Sequence, residues 1–186
     1  HKAIRRQRQM CIRDSIKSYD LTATKEPLLD TYTPNQTITY VTRVENTGSA
    51  SLYNLTVVDD LAKGLTQYVD NSVEGYLNGT PIEVNVQITN NTVIFTIDNV
   101  INPNDNVLII FETTTPTTRP DVLTNTQTIT ANGGSTTGPI VAVTPNPSAS
   151  VKLANYVSLD ITKSANKASI YSGDTCLLYT SDAADE

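Results

Sequence analysis

The chain has 186 residues, a formal net charge of −6 and 38% hydrophobic residues. An acidic chain gives no electrostatic support for binding nucleic acid or for direct attachment to an anionic membrane surface. No run approaches the roughly 18 apolar residues of a membrane-spanning helix.

The two ends of the chain are related to each other as DNA. Residues 5–15 read RRQRQMCIRDS and residues 176–186 read CLLYTSDAADE. A back-translation of the second peptide has a reverse complement that encodes RRQRQMCIRD, and this DNA resembles a transposase-type sequencing adapter. We therefore interpret residues 1–15 and 176–186 as adapter-like artefacts, not as a basic arm and an acidic tail, and leave them out of the fold prediction.

The remaining residues, 16–175, have an unusual composition. Both cysteines (Cys11 and Cys176), the single histidine (His1) and the single methionine (Met10) lie in the excluded ends. Without Cys or His, residues 16–175 offer no thiol nucleophile, no His-based catalytic triad and no ordinary zinc ligands. Thr, Asn, Val and Ile dominate, and this balance favours strands over helices.

Taken in chain order, residues 20–25 predict a short strand, residues 26–35 a connector with two prolines, and residues 36–45 a strand of alternating polarity. The Asn78-Gly79 pair is a strong hairpin signal. Residues 107–113 are almost continuously apolar, which is typical of a central strand. Further strands are predicted at residues 52–59, 66–69, 72–77, 82–88, 92–97 and 122–131.

These elements predict an all-β domain, an antiparallel immunoglobulin-like β-sandwich over residues 16–139, with residues 122–131 as the closing strand beside residues 20–25. Residues 140–155 are expected to add an edge strand and a linker. Residues 21–37 recur at residues 159–175 with a constant offset of 138, in which Leu21, Thr24, Lys25 and Thr37 meet identical residues. Residues 156–175 are therefore interpreted as the truncated start of a second repeat.

Four stretches carry a family resemblance: DLTATK (residues 20–25), TITYVTRVENTG (37–48), LTVVDDLAKGL (55–65) and LTNTQTITA (123–131). They resemble the conserved repeat domain of bacterial cell-surface proteins known as domain of unknown function eleven. The resemblance implies an immunoglobulin-like fold, an extracellular location at the bacterial cell surface or cell wall, and tandem copies. It implies no established enzyme activity.

The most specific site hypothesis is an internal isopeptide bond between Lys25 and Asn125, of the kind that sandwich domains of Gram-positive adhesins and pili carry between their first and last strands. A neutral lysine would attack the asparagine carboxamide while a neighbouring acid, Asp59 or Glu112, shuttles protons. Glu112 shares a strand face with Leu108 and Ile110 and could therefore point inward. The alternative is an exposed Lys25, with Asn125 hydrogen-bonded to a loop.

Other chemistry has weaker support, so no catalytic residue, metal or cofactor is predicted. Asp59 and Asp60 could form a carboxylate pair, but adjacent strand residues point to opposite faces. Together with Asp70 and Asn71 they could hold calcium, yet no calcium-loop motif is present, which favours solvated surface carboxylates. Four Asn-x-Thr tripeptides begin at Asn35, Asn54, Asn78 and Asn90 and matter only in a eukaryotic secretory host.

Three functions remain in view at this point. The first is a non-enzymatic stalk or spacer repeat whose partners are neighbouring repeats of the same chain. The second is an adhesive module that recognises a surface protein or glycan ligand. The third is a carbohydrate-active accessory domain.

Overall fold

In the computed structural model, residues 17–61, 66–118 and 120–154 are described in full, and residues 160–165 and 178–183 by their backbone. Every element with defined bounds in these ranges is a β-strand. The strands are β1 Leu21–Pro27, β2 Thr31–Tyr32, β3 Thr37–Asn46, β4 Leu52–Asp60, β5 Gln67–Tyr68, β6 Glu74–Leu77, β7 Thr80–Ile82, β8 Asn85–Thr89, β9 Thr92–Ile97, β10 Asn106–Thr114, β11 Val122–Gly133, β12 Ile140–Ala142, β13 Ser148–Leu153, β14 Asp160–Ala165 and β15 Leu178–Ala183.

Two sheets form the sandwich. The first has the order β1-β3-β10-β6-β7, with β5 also pairing β10, and the second has the order β2-β13-β11-β4-β9-β8, with β12 also pairing β11. All these pairs are antiparallel except the short pairing of β2 with β13, which is parallel. The predicted all-β sandwich is confirmed, with this one departure from antiparallel pairing.

The core lies between the two sheets because the long strands alternate in polarity. In β9 every second side chain is buried, β10 and β11 repeat the pattern, and β4 follows it from Leu55 onward. The interior is centred on aromatic rings: Phe111 lies 5.7 Å from Tyr40 and 4.9 Å from Phe95, measured between ring centroids. These contacts bury large apolar surfaces and hold the two sheets together.

The sandwich extends beyond the predicted boundary at residue 139. β12 pairs with β11, as expected of an added strand. Residues 148–153, however, form β13, which lies between β2 and β11 and buries Ala149 and Val151 in the core. The linker interpretation is therefore corrected. The segment is rich in Pro and Ser, and its alternation of buried and exposed residues depends on only two apolar side chains, Ala149 and Val151.

The predicted neighbours β1 and β11 are in different sheets. β1 is an edge strand of the first sheet and pairs with β3, while β11 is an interior strand of the second sheet. The two strands therefore share no ladder, although Lys25 of β1 and Asn125 of β11 contact the same residue, Asp59, in the core. β13, not β11, is the last strand of the sandwich. The buried side chains of β1 and β11 therefore enter the core between the sheets from opposite sides.

The region expected to begin a second repeat contains β14, and its pairing partner is β15, which lies within the segment interpreted as adapter. Residues 1–16, with the first adapter-like end, fall outside the described residues. The second repeat and the adapter origin of the two ends remain predictions.

Asparagine makes the tight turns. Among the described residues, seven non-glycine positions have positive φ and all are asparagine, namely Asn35, Asn54, Asn71, Asn78, Asn90, Asn91 and Asn104. Asn78 and Gly79, with φ of 51° and 81°, close the two-residue hairpin between β6 and β7. Successive positive φ values are what this hairpin signal demands.

Candidate functional site

Lys25 carries its charge into the interior of the sandwich. In β1 the side chains of Leu21 and Lys25 are buried, and Lys25 is 4% exposed. Its Nζ lies 2.7 Å from Asp59 Oδ2, 4.8 Å from the ring centroid of Tyr40 and 5.4 Å from that of Phe111. The ammonium group therefore has one carboxylate partner and two aromatic faces around it.

Burial controls the protonation of this lysine. Removal from water lowers the pKa of Lys25 from 10.5 to about 8, although the charge of Asp59 and the hydrogen bond to it act in the opposite direction. Burial, followed by the negative charge of Asp59, raises the pKa of Tyr40 to about 12. Lys25 therefore loses its proton to form the neutral amine at a lower pH than an exposed lysine does.

Asp59 accepts hydrogen bonds from three polar side chains in the interior. It continues the buried face of β4 after Leu55 and Val57 and is fully buried. Its Oδ2 accepts hydrogen bonds from Lys25 Nζ at 2.7 Å, Gln127 Nε2 at 3.0 Å and Asn125 Nδ2 at 3.3 Å. One carboxylate oxygen therefore joins β1 of the first sheet to β11 of the second.

Asn125 completes the group of residues named from the sequence. It is 1% exposed and lies on the buried face of β11. Within the described ranges, its Oδ1 and the Oδ1 of Asp59 are both buried without a hydrogen-bond partner. The structure thus brings Lys25, Asp59 and Asn125 together in the core and leaves one oxygen of the acid and one of the amide unsatisfied.

The second candidate acid, Glu112, lies elsewhere. In β10 the buried face comprises Val107, Ile109, Phe111 and Thr113, so Glu112 is on the outward face and half-buried. Glu112 does share a face with Leu108 and Ile110, as the sequence indicated, but that face points away from the core. Of the two acids, the structure places Asp59 against Lys25.

Two polar residues of the cluster were missed from the sequence. Thr42 and Gln127 are both fully buried, and Thr42 Oγ1 donates a hydrogen bond of 2.8 Å to Gln127 Oε1. Each occupies an inward position of an alternating strand, Thr42 between Tyr40 and Val44 and Gln127 between Asn125 and Ile129. A polar residue in such a position was the available signal.

A groove lies on the surface at the edge of the sandwich, away from this cluster. Its volume is about 590 Å³, and its lining includes Tyr68, Asp70, Val73 and two residues of the edge strand β8, Val86 and Ile88. Val86 and Ile88 are 37% and 49% exposed. The groove combines apolar side chains with one acidic side chain, that of Asp70.

The candidate calcium ligands named from the sequence do not lie together: some are in the interior cluster and others in the groove. Asp59 is buried against Lys25, whereas Asp70 and Asn71 line the groove. In the part of the chain that the structure describes, no three His, Cys, Asp or Glu side chains form a group suited to a metal ion. Across the same residues, no helix has the length and apolar character needed to cross a membrane.

Comparison with known proteins bears on the fold. No protein-family model and no curated protein matches the chain. Among solved structures, it is similar to a variant of BcpA, the major pilin subunit of Bacillus cereus, with a TM-score of 0.55 and 12% identity over 89% of this chain and 54% of that one. The chain thus spans about half the length of that pilin.

Two further structures have the same architecture. The major pilin SpaD of Corynebacterium diphtheriae matches with a TM-score of 0.54 and 16% identity over 77% of this chain and 35% of that one. A cohesin module from a Clostridium perfringens family 33 glycoside hydrolase matches with a TM-score of 0.52 and 14% identity over 73% of this chain and 98% of that one. At such identities the likeness shows a shared all-β sandwich fold.

Proposed function

We propose that this chain is a structural repeat of a bacterial cell-surface protein, closed by an internal isopeptide bond between Lys25 and Asn125. The observation that carries the proposal is the contact of Lys25 Nζ and Asn125 Nδ2 with the same oxygen of Asp59, inside the core. A charged pair buried this deeply costs free energy that a hydrophobic pair would not. Participation of both groups in a covalent reaction would explain why the pair is present.

The chemistry needs only groups that are present. A proton moves from the Lys25 ammonium to Asp59, which leaves a neutral amine and a carboxylic acid. The amine lone pair attacks Cγ of Asn125 while the acid donates its proton to the carboxamide. Nζ then gives a second proton back to the Asp59 carboxylate, the C–N bond of the carboxamide breaks, and ammonia leaves with the proton that the acid first supplied. An amide now joins Nζ of Lys25 to Cγ of Asn125.

The setting suits a structural role better than turnover. Lys25, Asp59 and Asn125 are 4%, 0% and 1% exposed, so an external substrate does not reach them. Lys25 and Asn125 would be consumed once, when the bond forms. The result would be a strap from the first sheet to the second, which resists separation of the layers.

The cellular setting follows from the sequence resemblance and the structural likeness together. The resemblance to domain of unknown function eleven implies a surface-exposed, tandemly repeated protein, and BcpA and SpaD are described as major pilins. We infer an extracellular location at the cell surface or wall, with neighbouring repeats of the same chain as partners.

The decisive experiment is the intact mass of the full chain. Loss of one ammonia lowers the mass by about 17 Da, as attack of an amine on a carboxamide requires. Lys25→Ala and Asn125→Ala are expected to show the full calculated mass. Lys152→Ala, which changes an exposed lysine on β13, is the control and keeps the deficit. A wild-type chain of full mass would refute the bond.

The groove supports a second candidate, an adhesive module. Exposed Val86 and Ile88 and the acidic Asp70 offer a ligand both apolar and charged contacts. Binding to a glycan or surface-protein array that is lost in Ile88→Lys and kept in Ile140→Lys, at another exposed apolar position, would favour it. The third candidate, a carbohydrate-active accessory domain, would require hydrolysis or glycan binding in the same assays.

A further inference from the structure

The interior cluster contains two carboxamides, and both face the same acid. Asn125 Nδ2 and Gln127 Nε2 donate to Asp59 Oδ2 at 3.3 Å and 3.0 Å. If Lys25 attacks a carboxamide, as proposed above, it has two possible acyl donors two residues apart on one strand. Both amides contact Asp59, so this contact does not determine which of them Lys25 attacks, and another feature must do so.

The two amides differ in their oxygen atoms. Gln127 Oε1 accepts a hydrogen bond from Thr42 Oγ1 at 2.8 Å. Asn125 Oδ1 and Asp59 Oδ1, by contrast, are two of the buried oxygens that have no hydrogen-bond partner among the residues the structure describes. A proton on Asp59 Oδ1 that is donated to Asn125 Oδ1 would satisfy both and would polarise the Asn125 carbonyl for attack.

Strand register explains why Thr42 and Gln127 meet at this point. Thr42 is directly opposite Lys25 in the pairing of β1 with β3, and Gln127 is directly opposite Asp59 in the pairing of β11 with β4. The Thr42–Gln127 hydrogen bond therefore joins the same two strand pairs as the Lys25–Asp59 contact. It fixes the separation and the alignment of the sheets beside the reacting groups.

We propose that Thr42 and Gln127 are positioning residues for the isopeptide reaction: their hydrogen bond turns the Gln127 oxygen toward Thr42 while Nε2 faces Asp59, so that the acid protonates Asn125 instead, and it holds Asp59 between the amine and that donor. This inference rests on the proposed Lys25–Asn125 bond. Neither residue is altered in the reaction, so their contribution is to rate and to the choice of donor.

The test follows crosslinking in the full chain over time. The protein is made in a cell-free system and synthesis is then stopped. Samples are quenched in acid and denaturant at intervals, and the intact mass of each is measured. Thr42→Val and Gln127→Met keep the side-chain volume but remove the Thr42–Gln127 hydrogen bond, and Gln127→Met also removes the bond from Gln127 to Asp59. Each is expected to lengthen the half-time of ammonia loss by about tenfold or more. Thr42→Ser keeps the hydroxyl and is expected to restore the wild-type rate.

Thr113→Val is the matched control. Thr113 is also fully buried, on the neighbouring strand β10, but its hydroxyl has no hydrogen-bond partner within the described residues. This variant therefore changes core polarity in the same way and is expected to react at the wild-type rate. Slowing in Thr42→Val but not in Thr113→Val separates positioning from a general loss of packing.

The outcomes distinguish this inference from the function on which it rests. A wild-type chain without the mass deficit overturns both. A wild-type deficit that Thr42→Val and Gln127→Met reach at the wild-type rate overturns the positioning role alone. A deficit in Asn125→Ala, traced by peptide fragmentation to a Lys25–Gln127 crosslink, overturns the choice of donor. Slow variants together with an unreacted Asn125→Ala support the proposal.

Discussion

Lys25 and Asp59 form an ion pair of 2.7 Å between the two sheets, and neither side chain is exposed to solvent. Removing water from two charges is costly, and their attraction offsets that cost only while both partners are present. This pair therefore dominates both the electrostatics of the core and the chemistry proposed for it.

Asp59→Ala is expected to abolish the mass deficit and to lower the free energy of unfolding by more than the roughly 4–5 kcal/mol that loss of the crosslink alone would cost, because it also leaves Lys25 in the core without its partner. Denaturant unfolding and intact mass measure the two effects. Glu112→Gln, at the other candidate acid, is the control and should change neither. Loss of the deficit in Glu112→Gln would show that the acid has been wrongly assigned.

Asn125→Ala tests what the crosslink contributes to stability. The bond would close a loop of about 100 residues, and a covalent link of that span stabilises a chain by roughly 4–5 kcal/mol in the loop-entropy model. We expect guanidinium unfolding of the variant to show a loss of about this size. Thr124→Ala, on the outward face of the same strand, should stay within about 0.5 kcal/mol of wild type. Equal stability of Asn125→Ala and wild type would count against a crosslink.

The pH dependence of stability should differ between crosslinked and open chains. In Asn125→Ala, Lys25 stays a free amine, and burial in the folded chain lowers the pKa of this amine from 10.5 to about 8. Between these values the unfolded chain binds a proton that the folded chain does not, so the free energy of unfolding rises with pH. In the wild type, an amide at Lys25 removes this contribution.

Unfolding of both proteins between pH 8 and pH 10 measures the difference. The upper limit matters because the raised pKa of Tyr40 makes stability fall once unfolded tyrosine ionises, above about pH 10. The double variant Lys25→Met/Asn125→Ala is the control and should lack the rise. A rise of equal slope in the double variant would assign it to other groups.

Two buried tyrosines should respond oppositely to loss of the hydroxyl. The hydroxyl of Tyr40 is buried and unpaired with any described residue, while that of Tyr32 donates to the carbonyl oxygen of Pro120. Tyr40→Phe is therefore expected to raise the free energy of unfolding by about 1 kcal/mol, and Tyr32→Phe to lower it by about 1 kcal/mol. Thermal unfolding measures both, and a loss in Tyr40→Phe would reveal a partner for its hydroxyl.

The sequence predicts most of the strands because alternation of polarity is a local property. It also names Lys25 and Asn125 as partners, but it wrongly puts their strands side by side, whereas the two strands belong to different sheets. It does not decide the direction of Glu112, because residues 107–111 are apolar on both faces of β10 and alternation is lost there. A strand that is apolar on both faces lacks the alternation on which the prediction rests.

The remaining differences concern pairings between distant parts of the chain. β13 has Ser at alternate positions and only Ala149 and Val151 directed inward, so it resembles a linker until it lies against β11. The Thr42–Gln127 bond joins residues that the fold brings together across both sheets. Each depends on which strands become neighbours, and local periodicity carries no information about that.

The left-handed asparagine turns account for a feature of the sequence that would otherwise suggest sugar attachment. All four Asn-x-Thr tripeptides begin at an asparagine with positive φ, namely Asn35, Asn54, Asn78 and Asn90. Asparagine tolerates this backbone conformation better than any residue except glycine. The acceptor-like tripeptides are therefore by-products of turn geometry, and drift at these four positions should favour glycine or aspartate over alanine.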